Sequence, residues 1–357
     1  MITRIIEQDA GIVAAELAAT LAPLRNSSVL VTGAGGFLGS FFVDVFSAFN
    51  RLNTDAPCHV IAADNFKVGL PSRVRHLDGN PNVSFLRADI SRPLEADIAP
   101  GYIIHCAGIG SPSIYRAYPL ETIAVNVDGT HNVLSLAQRG GCRSMLSFSS
   151  SEIYGDPDPA VVPTPETYRG NVSCTGPRAC YDESKRMNET LCVVFAQVFG
   201  TPVKIVRPFN VYGPGQRLDD GRIIPDLMQA ALAGGPLVLF SDGRATRSFC
   251  YVGDFVHACL LLLMTDASGE PFNVGNDHEI SIGELAQTMA EVAAEPPLPV
   301  EHRVNPDADY LADNPQRRCP DLTKLRSRTG WSPRVNLREG LRRTLESYRE
   351  ERLVAAQ

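Results

Sequence analysis

The segment Ser28-Val-Leu-Val-Thr-Gly-Ala-Gly-Gly-Phe-Leu-Gly-Ser40 constrains this chain more than any other. It reads as a short apolar strand, a glycine turn and the start of a helix. Gly33, Gly36 and Gly39 form a GxxGxxG pattern, followed into the helix by Phe37 and Leu38. Glycines at this spacing permit a tight turn and let a pyrophosphate approach the backbone at a helix N-terminus. The pattern carries weight here because it follows a strand and precedes a helix. A second apolar run, His59-Val-Ile-Ala-Ala63, ends at Asp64 and Asn65. A carboxylate after the second strand can accept hydrogen bonds from both ribose hydroxyls of NAD and would repel the extra phosphate of NADP. Asp64 lies further on than the usual ~20 residues, and residues Ser47–Pro57 read as the longer helix end and loop that absorb the difference. A plain turn carboxylate would look the same in sequence.

The first half of the chain alternates strands and helices. Strands are predicted at Ser28–Thr32, His59–Asp64, Val83–Ala88, Tyr102–Cys106, Ser144–Ser149 and Pro202–Arg207, with a prominent helix at Pro119–Gln138. This pattern predicts an α/β fold with a Rossmann-type, doubly wound parallel sheet. After Gly213, Pro, Gly and Asp become dense and the elements short, which predicts a smaller C-terminal substrate-binding lobe. The expected organisation is an N-terminal helical extension over residues 1–27, with an amphipathic helix at Glu7–Leu24. The dinucleotide domain follows over 28–212, with a later segment, about 248–275, returning to it. Residues 213–357 are mainly the substrate lobe.

Tyr181 stands four residues before Lys185, so on a helix both side chains share a face. A free tyrosine is a poor base, with a pKa of about 10. A neighbouring ammonium group favours the phenolate, and such a pair can take a proton from a sugar hydroxyl while a hydride leaves the same carbon. An exposed helix with a solvated lysine would satisfy the same spacing.

Composition narrows the classes. The net charge is −7 with no basic block, which disfavours nucleic acid as a partner. No apolar run approaches the ~18 residues of a membrane span; the longest, Phe255–Met264, is short and interrupted by His257. No basic flank and apolar core of a secretion signal appears. The nine cysteines contain no CxxC pair and no cysteine–histidine cluster with ligand spacing. They are expected to be reduced, mostly buried thiols in a cytoplasmic protein, with no metal site.

Further motifs carry a family resemblance. They are Ser149-Ser-Ser-Glu-Ile-Tyr-Gly-Asp-Pro157, Gly176-Pro-Arg-Ala-Cys-Tyr-Asp-Glu-Ser-Lys-Arg186, Arg207-Pro-Phe-Asn-Val-Tyr-Gly-Pro214, Asp220-Gly-Arg222, Thr246-Arg-Ser-Phe-Cys-Tyr-Val252, Phe272-Asn-Val-Gly275 and Gly330-Trp-Ser-Pro333. From about Ser28 to Arg343 the chain resembles the extended short-chain dehydrogenase/reductase (NAD-dependent epimerase/dehydratase) superfamily, and more narrowly its UDP-glucuronate decarboxylase (UDP-xylose synthase) group. The resemblance implies Tyr181 as general base, Lys185 as its electrostatic partner on the nicotinamide ribose, and Ser150 as a hydroxyl beside the sugar's 4-hydroxyl. It implies Asp89 and Ile90 at the adenine, and Cys106, Ala107, Ser149 and Pro208 along the cofactor. Asn126 would support the catalytic helix from beneath. Asn210 and Arg247 would face the diphosphate, with Arg222 and Tyr251 toward the base and sugar. A homodimer through two helices per subunit, near Pro119–Gln138 and Tyr181–Phe199, is also implied.

Glu152 discriminates among reactions in this superfamily. Its 4,6-dehydratases carry an aspartate–glutamate pair after the catalytic hydroxyl, and the aspartate protonates the leaving hydroxyl. Here Ser151 stands in the aspartate's place, and a serine is a poor acid. The decarboxylases show Ser–Glu, as here. Once carbon 4 is oxidised, a carboxylate on carbon 5 belongs to a β-keto acid and can leave as carbon dioxide without a strong acid. The implied reaction is decarboxylation of UDP-glucuronate to a UDP-4-keto-pentose or UDP-xylose. A 4-epimerase or 4,6-dehydratase on another nucleotide sugar is the alternative, and a non-catalytic NAD-binding scaffold is the alternative from another class. Ser173-Cys174-Thr175, Ser184, Gly215-Gln216-Arg217 and His105-Cys-Ala-Gly108 depart from the decarboxylase pattern, so the sugar stays open.

Overall fold

The computed structural model describes residues 2–94, 98–304 and 315–355. Helix α1 (Arg4–Glu16) opens the chain, with the Thr3 hydroxyl accepting from Ile6 N. The helix expected over Glu7–Leu24 stops after Glu16, and only a single 3-10 turn, Ala22–Leu24, follows. Leu17 caps α1 at φ −95° and ψ 5°, outside helical geometry; Pro23, lacking an N–H and crowding the turn before it, then keeps a helix from re-forming through residues 19–24.

Strand β1 (Ser28–Thr32) leads through the glycine turn into α2 (Phe37–Leu52) and on to β2 (His59–Asp64) and β3 (Val83–Arg87). Then come β4 (Tyr102–His105), α3 (Pro112–Ala117), α4 (Pro119–Arg139), β5 (Ser144–Phe148), α5 (Ala179–Phe199) and β6 (Val203–Pro208). Strand β7 (Val211–Tyr212), α6 (Ile223–Ala233), β8 (Leu237–Leu239), β9 (Thr246–Ser248) and β10 (Cys250–Tyr251) follow. Helix α7 (Val252–Leu263) is the apolar stretch noted in the sequence. It is buried almost throughout, and no helix among the described residues is long and apolar enough to cross a membrane.

Strand β11 (Glu270–Val274) completes the main sheet, whose order is β11-β6-β5-β4-β1-β2-β3, all parallel. From β1 the chain winds outward first through β2 and β3 and then, on the other side, from β4. The crevice at the carboxyl ends of β1 and β4 is therefore the topological switch point, where open α/β sheets bind ligands. The remaining elements are β12 (Glu279–Ser281), α8 (Ile282–Ala293), β13 (Val300–His302), β14 (Arg317–Arg318), α9 (Thr323–Thr329) and α10 (Leu337–Ala355). Three small sheets, β10-β7, β12-β9-β14 and β13-β8, lie outside the main one.

The large core lies between the main sheet and α2, α7 and α1. Phe41, Phe42, Phe46 and Phe49 of α2 are all fully buried. A helix can be apolar on nearly every side only when it is covered on nearly every side; α1 supplies the outer cover here. Its own carboxylates tie it to the C-terminal segments, Asp9 to Arg343 and Glu16 to Arg334.

Candidate functional site

A cavity of about 600 Å³ follows the carboxyl edge of the sheet, from the glycine turn after β1 to the small lobe. Gly33 and Gly36 line it at the N-terminus of α2. The glycines are required by close approach. A Cβ on Gly33 (φ +72°) would lie 2.8 Å from the Ala107 backbone, and one on Gly39 would lie 2.1 Å from the Gly33 carbonyl oxygen. Phe37, Leu38, Asn65, Ile90, Cys106, Ala107 and Pro208 also line the cavity. Asp64 accepts from Gly35 N at 2.9 Å and from Phe66 N at 2.7 Å. Burial raises its pKa against the pull of those backbone bonds. A carboxylate offers about four lone-pair sites, so acceptor capacity remains for a ribose. Asp89 takes the Lys67 ammonium at 2.9 Å across the far end of the cavity. Ser149 lines the cavity with its buried Oγ lacking a hydrogen-bond partner. A helix N-terminus opened by glycines, a ribose-ready carboxylate and an unsatisfied hydroxyl together fit a dinucleotide.

Tyr181 and Lys185 sit one turn apart on α5 and both reach the cavity. Ser150, at the end of β5, hydrogen-bonds the Tyr181 hydroxyl. The expected activation by lysine is not what this arrangement gives. Lys185 Nζ donates to the Phe148 carbonyl at 2.7 Å and stands 5.9 Å from the Tyr181 ring centroid. Burial pushes the Tyr181 hydroxyl up to about 12, and the bond from Ser150 only partly offsets this. Burial likewise pulls Lys185 down to about 8. Residue spacing shows that an ammonium is near but not how deeply the hydroxyl is buried, and burial is the largest influence on it.

Glu152 follows Ser150 and Ser151 in the 3-10 turn Ser151–Tyr154. Its carboxylate is clamped by two guanidinium groups. Arg178 Nη2 donates to Oε2 at 2.5 Å, Arg318 Nη2 donates to Oε2 at 2.6 Å, and Arg318 Nη1 donates to Oε1. Burial opposes its ionisation, but Arg318 and Arg178 outweigh that and hold it well below the usual carboxylate range. Neither arginine was assigned a role from sequence. Arg178 lies inside the Gly176-Pro-Arg motif, which was a usable signal; Arg318 sits far along the chain, and nothing local connects it to Glu152. Tyr115 of α3 was also missed. Its ring stacks on Tyr181 with centroids 5.1 Å apart and planes 10° apart, and its buried hydroxyl has no hydrogen-bond partner.

Ser151, Asn210, Arg222 and Arg247 line the small-lobe end of the same cavity. Asn210 takes a left-handed φ of 37° while its Nδ2 donates to the Ser248 carbonyl at 3.1 Å. Arg222 is held by Asp220, and Arg247 Nη1 donates to the Thr246 carbonyl at 2.7 Å. Burial, then repulsion from Arg318, lowers the Arg247 pKa to about 9, so this end of the cavity favours an anion. One expected site residue lies elsewhere. Tyr251 is buried outside the cavity with its hydroxyl bonded to Asp9 at 2.5 Å, because β10 turns it toward α1. Asn126 does not line the cavity; it lies beneath α5 and donates directly to Ser184 Oγ at 2.9 Å. Among the described residues no group of three or more His, Cys, Asp or Glu is placed to hold a metal ion.

A parallel sheet with a glycine-turn crevice at its switch point, lined by Ser150, Tyr181 and Lys185, defines a dinucleotide-binding enzyme of the Rossmann type. The NAD dependent epimerase/dehydratase family matches residues 29–275. The chain is 39% identical over 334 residues to UDP-glucuronic acid decarboxylase 5 of Arabidopsis thaliana, covering 92% of this chain and 93% of the relative. It is 36% identical over 326 residues to UDP-glucuronic acid decarboxylase 1 of Xenopus tropicalis, covering 90% and 72%. Among solved structures, a UDP-glucose 4-epimerase from Thermotoga maritima superposes with a TM-score of 0.77 at 26% identity, covering 91% of this chain and 99% of the other. A dTDP-glucose 4,6-dehydratase from Streptomyces venezuelae, with NAD bound, superposes at 0.78 and 25%, covering 92% and 98%. The chain belongs to the NAD dependent epimerase/dehydratase family. It is an enzyme, and its cofactor is NAD.

Proposed function

We propose that the enzyme oxidises carbon 4 of UDP-glucuronate and releases the carbon-5 carboxylate as carbon dioxide, yielding a UDP-pentose. The observation that carries this reading is the pairing of Glu152 with Arg178 and Arg318 beside the Tyr181–Ser150 pair, with a serine at position 151. NAD, when bound, accepts the hydride from carbon 4. Tyr181 takes the proton of the 4-hydroxyl, and Ser150 holds the same oxygen as it becomes a carbonyl. The carboxylate on carbon 5 is then β to a ketone. Its carbon–carbon bond breaks, the electron pair enters the enolate, and carbon dioxide leaves without acid assistance; carbon 5 then takes a proton to give the 4-keto-pentose, and return of the hydride to carbon 4 would give UDP-xylose. Arg178 and Arg318 give a carboxylate-bearing sugar a cationic place to dock, and the negative Glu152 between them disfavours the substrate carboxylate once it is there. Ser151 cannot protonate a leaving hydroxyl at neutral pH, which argues against elimination of water. The 39% identical relatives named as UDP-glucuronic acid decarboxylases support the same reading. Incubation with UDP-glucuronate should yield carbon dioxide and a pentose nucleotide; UDP-galacturonate as the sole product would favour the 4-epimerase instead.

Two further readings belong to this proposal. The enzyme works as a homodimer. Leu120 and Ile123 on α4, and Met187, Val194 and Val198 on α5, are exposed along two helices that pack together. This apolar face fits a second copy making a four-helix interface. The protein works in the cytoplasm, a reading supported by nine cysteines that are all free, since oxidising compartments favour pairing.

A further inference from the structure

Three segments distant in sequence meet at one buried amide. Asn273, on β11, is fully buried. Its Oδ1 accepts from the Tyr154 hydroxyl at 2.7 Å, and its Nδ2 donates to the carbonyls of Thr164 at 2.8 Å and Asp321 at 3.1 Å. Thr164 in turn bonds the backbone on either side of Pro320: its N donates to the Cys319 carbonyl, and its carbonyl accepts from Asp321 N. Tyr154 closes the same 3-10 turn that holds Glu152, and Arg318 immediately precedes Cys319. One side chain thus links the turn that carries Glu152 to the segment that follows Arg318. Arg207 braces it from β6, giving Nη1 to the Tyr154 hydroxyl at 2.7 Å and gripping Glu189 of α5 in bidentate fashion. Glu189 lies one turn beyond Lys185. A buried ion pair holds only where its geometry is imposed by its surroundings, and an amide with both donors and its acceptor in use imposes it on three segments at once.

We propose that Asn273 is a positioning residue that sets the register between Glu152 and Arg318, and so governs loss of the substrate carboxylate rather than hydride transfer. This rests on the decarboxylase reading above. Asn273→Asp is nearly isosteric. It keeps an acceptor for Tyr154 but loses both donors and turns a negative charge toward two carbonyls. Tyr181 and Lys185 ride on α5, and the Phe148 carbonyl holds the Lys185 ammonium; neither side chain bonds Asn273 or Tyr154 directly.

The test uses the NAD-loaded enzyme with UDP-glucuronate, following cofactor reduction by absorbance in a single turnover and carbon dioxide release in the same sample. In N273D, release is expected to fall tenfold or more while cofactor reduction stays within about threefold of wild type, since tenfold corresponds to about 1.4 kcal/mol of lost transition-state stabilisation. Tyr154→Phe, which cuts one of the three bonds, should fall between. Equal loss of both steps, or no loss of either, overturns the proposal. If wild type releases no carbon dioxide, the functional reading fails by itself. Positioning is then read from thermal unfolding of N273D, E152Q and the double variant: non-additive shifts are expected for groups in one network, and strict additivity overturns it.

Discussion

Arg318 reaches Glu152 from 166 positions further along the chain, with Nη2 at 2.6 Å from Oε2. Arg178 grips the same carboxylate from the other side. Glu152 is thus a fixed anion between two cations rather than a free base, and this shapes what its replacement does.

Glu152→Gln keeps the shape, removes the charge and leaves Arg318 without its counter-ion, while Arg178 keeps only Asp182 at 3.9 Å. Breaking one partner of a buried pair costs about 3 kcal/mol in stability, measurable as a lower midpoint in urea or heat. Carbon dioxide release should fall further than cofactor reduction does. Unchanged turnover would make Glu152 structural and favour the epimerase.

Tyr181→Phe removes the proton acceptor that every reaction at carbon 4 needs. All activity, including transient cofactor reduction, should fall by about 10²–10⁴-fold. The neutral hydroxyl dominates because burial holds it at about 12, so wild-type cofactor reduction should rise with pH through neutrality. A flat pH profile would point to another base.

Lys204 is a buried lysine whose ammonium donates to Ser144 Oγ at 2.8 Å. Burial lowers its pKa from 10.5 to about 8. The folded state therefore releases this proton more readily than the unfolded state does. The sign follows: the penalty is fully present below about pH 8 and is relieved as pH rises toward 10.5. Lys204→Met should raise stability at neutral pH by about 1–3 kcal/mol and flatten the stability–pH curve over that window. Chemical denaturation at several pH values checks both.

Asp64 spends two of its acceptor sites on backbone amides of the turn around Gly35 and Phe66. Its charge at the ribose end predicts tighter binding of NAD than of NADP, and Asp64→Ala should narrow the gap. Equilibrium titration of both nucleotides on cofactor-stripped enzyme decides it; preference for NADP in the wild type would remove this role.

Leu120→Glu combined with Val194→Glu places charges on the exposed apolar face of α4 and α5. Sedimentation should show a dimer for the wild type and a monomer for the variant. A wild-type monomer at micromolar concentration would remove the dimer proposal.

Local signals carried much of the molecule. The strand–glycine–helix segment, six of the seven strands of the main sheet and the Tyr181–Lys185 spacing are contiguous patterns, and β1 and β2 run over the expected residues. Periodicity and turn chemistry act over a few residues, so one segment suffices to read them. The failures have a different character. Tyr251 was placed by a motif, yet β10 aims it at Asp9 of α1, 242 positions away. Apolar periodicity continues past Glu16, whereas α1 ends there at the Leu17 cap.

What the sequence alone determined was which side chains are chemically able to act, and on which elements they ride. What only the tertiary structure decided was their protonation and partners. Burial is the largest influence on the Tyr181 hydroxyl, and two arginines, 26 and 166 positions further along the chain, convert Glu152 into a locked anion. Desolvation and ion pairing depend on what the finished fold brings within a few ångströms, and contacts of that kind leave no trace in local spacing.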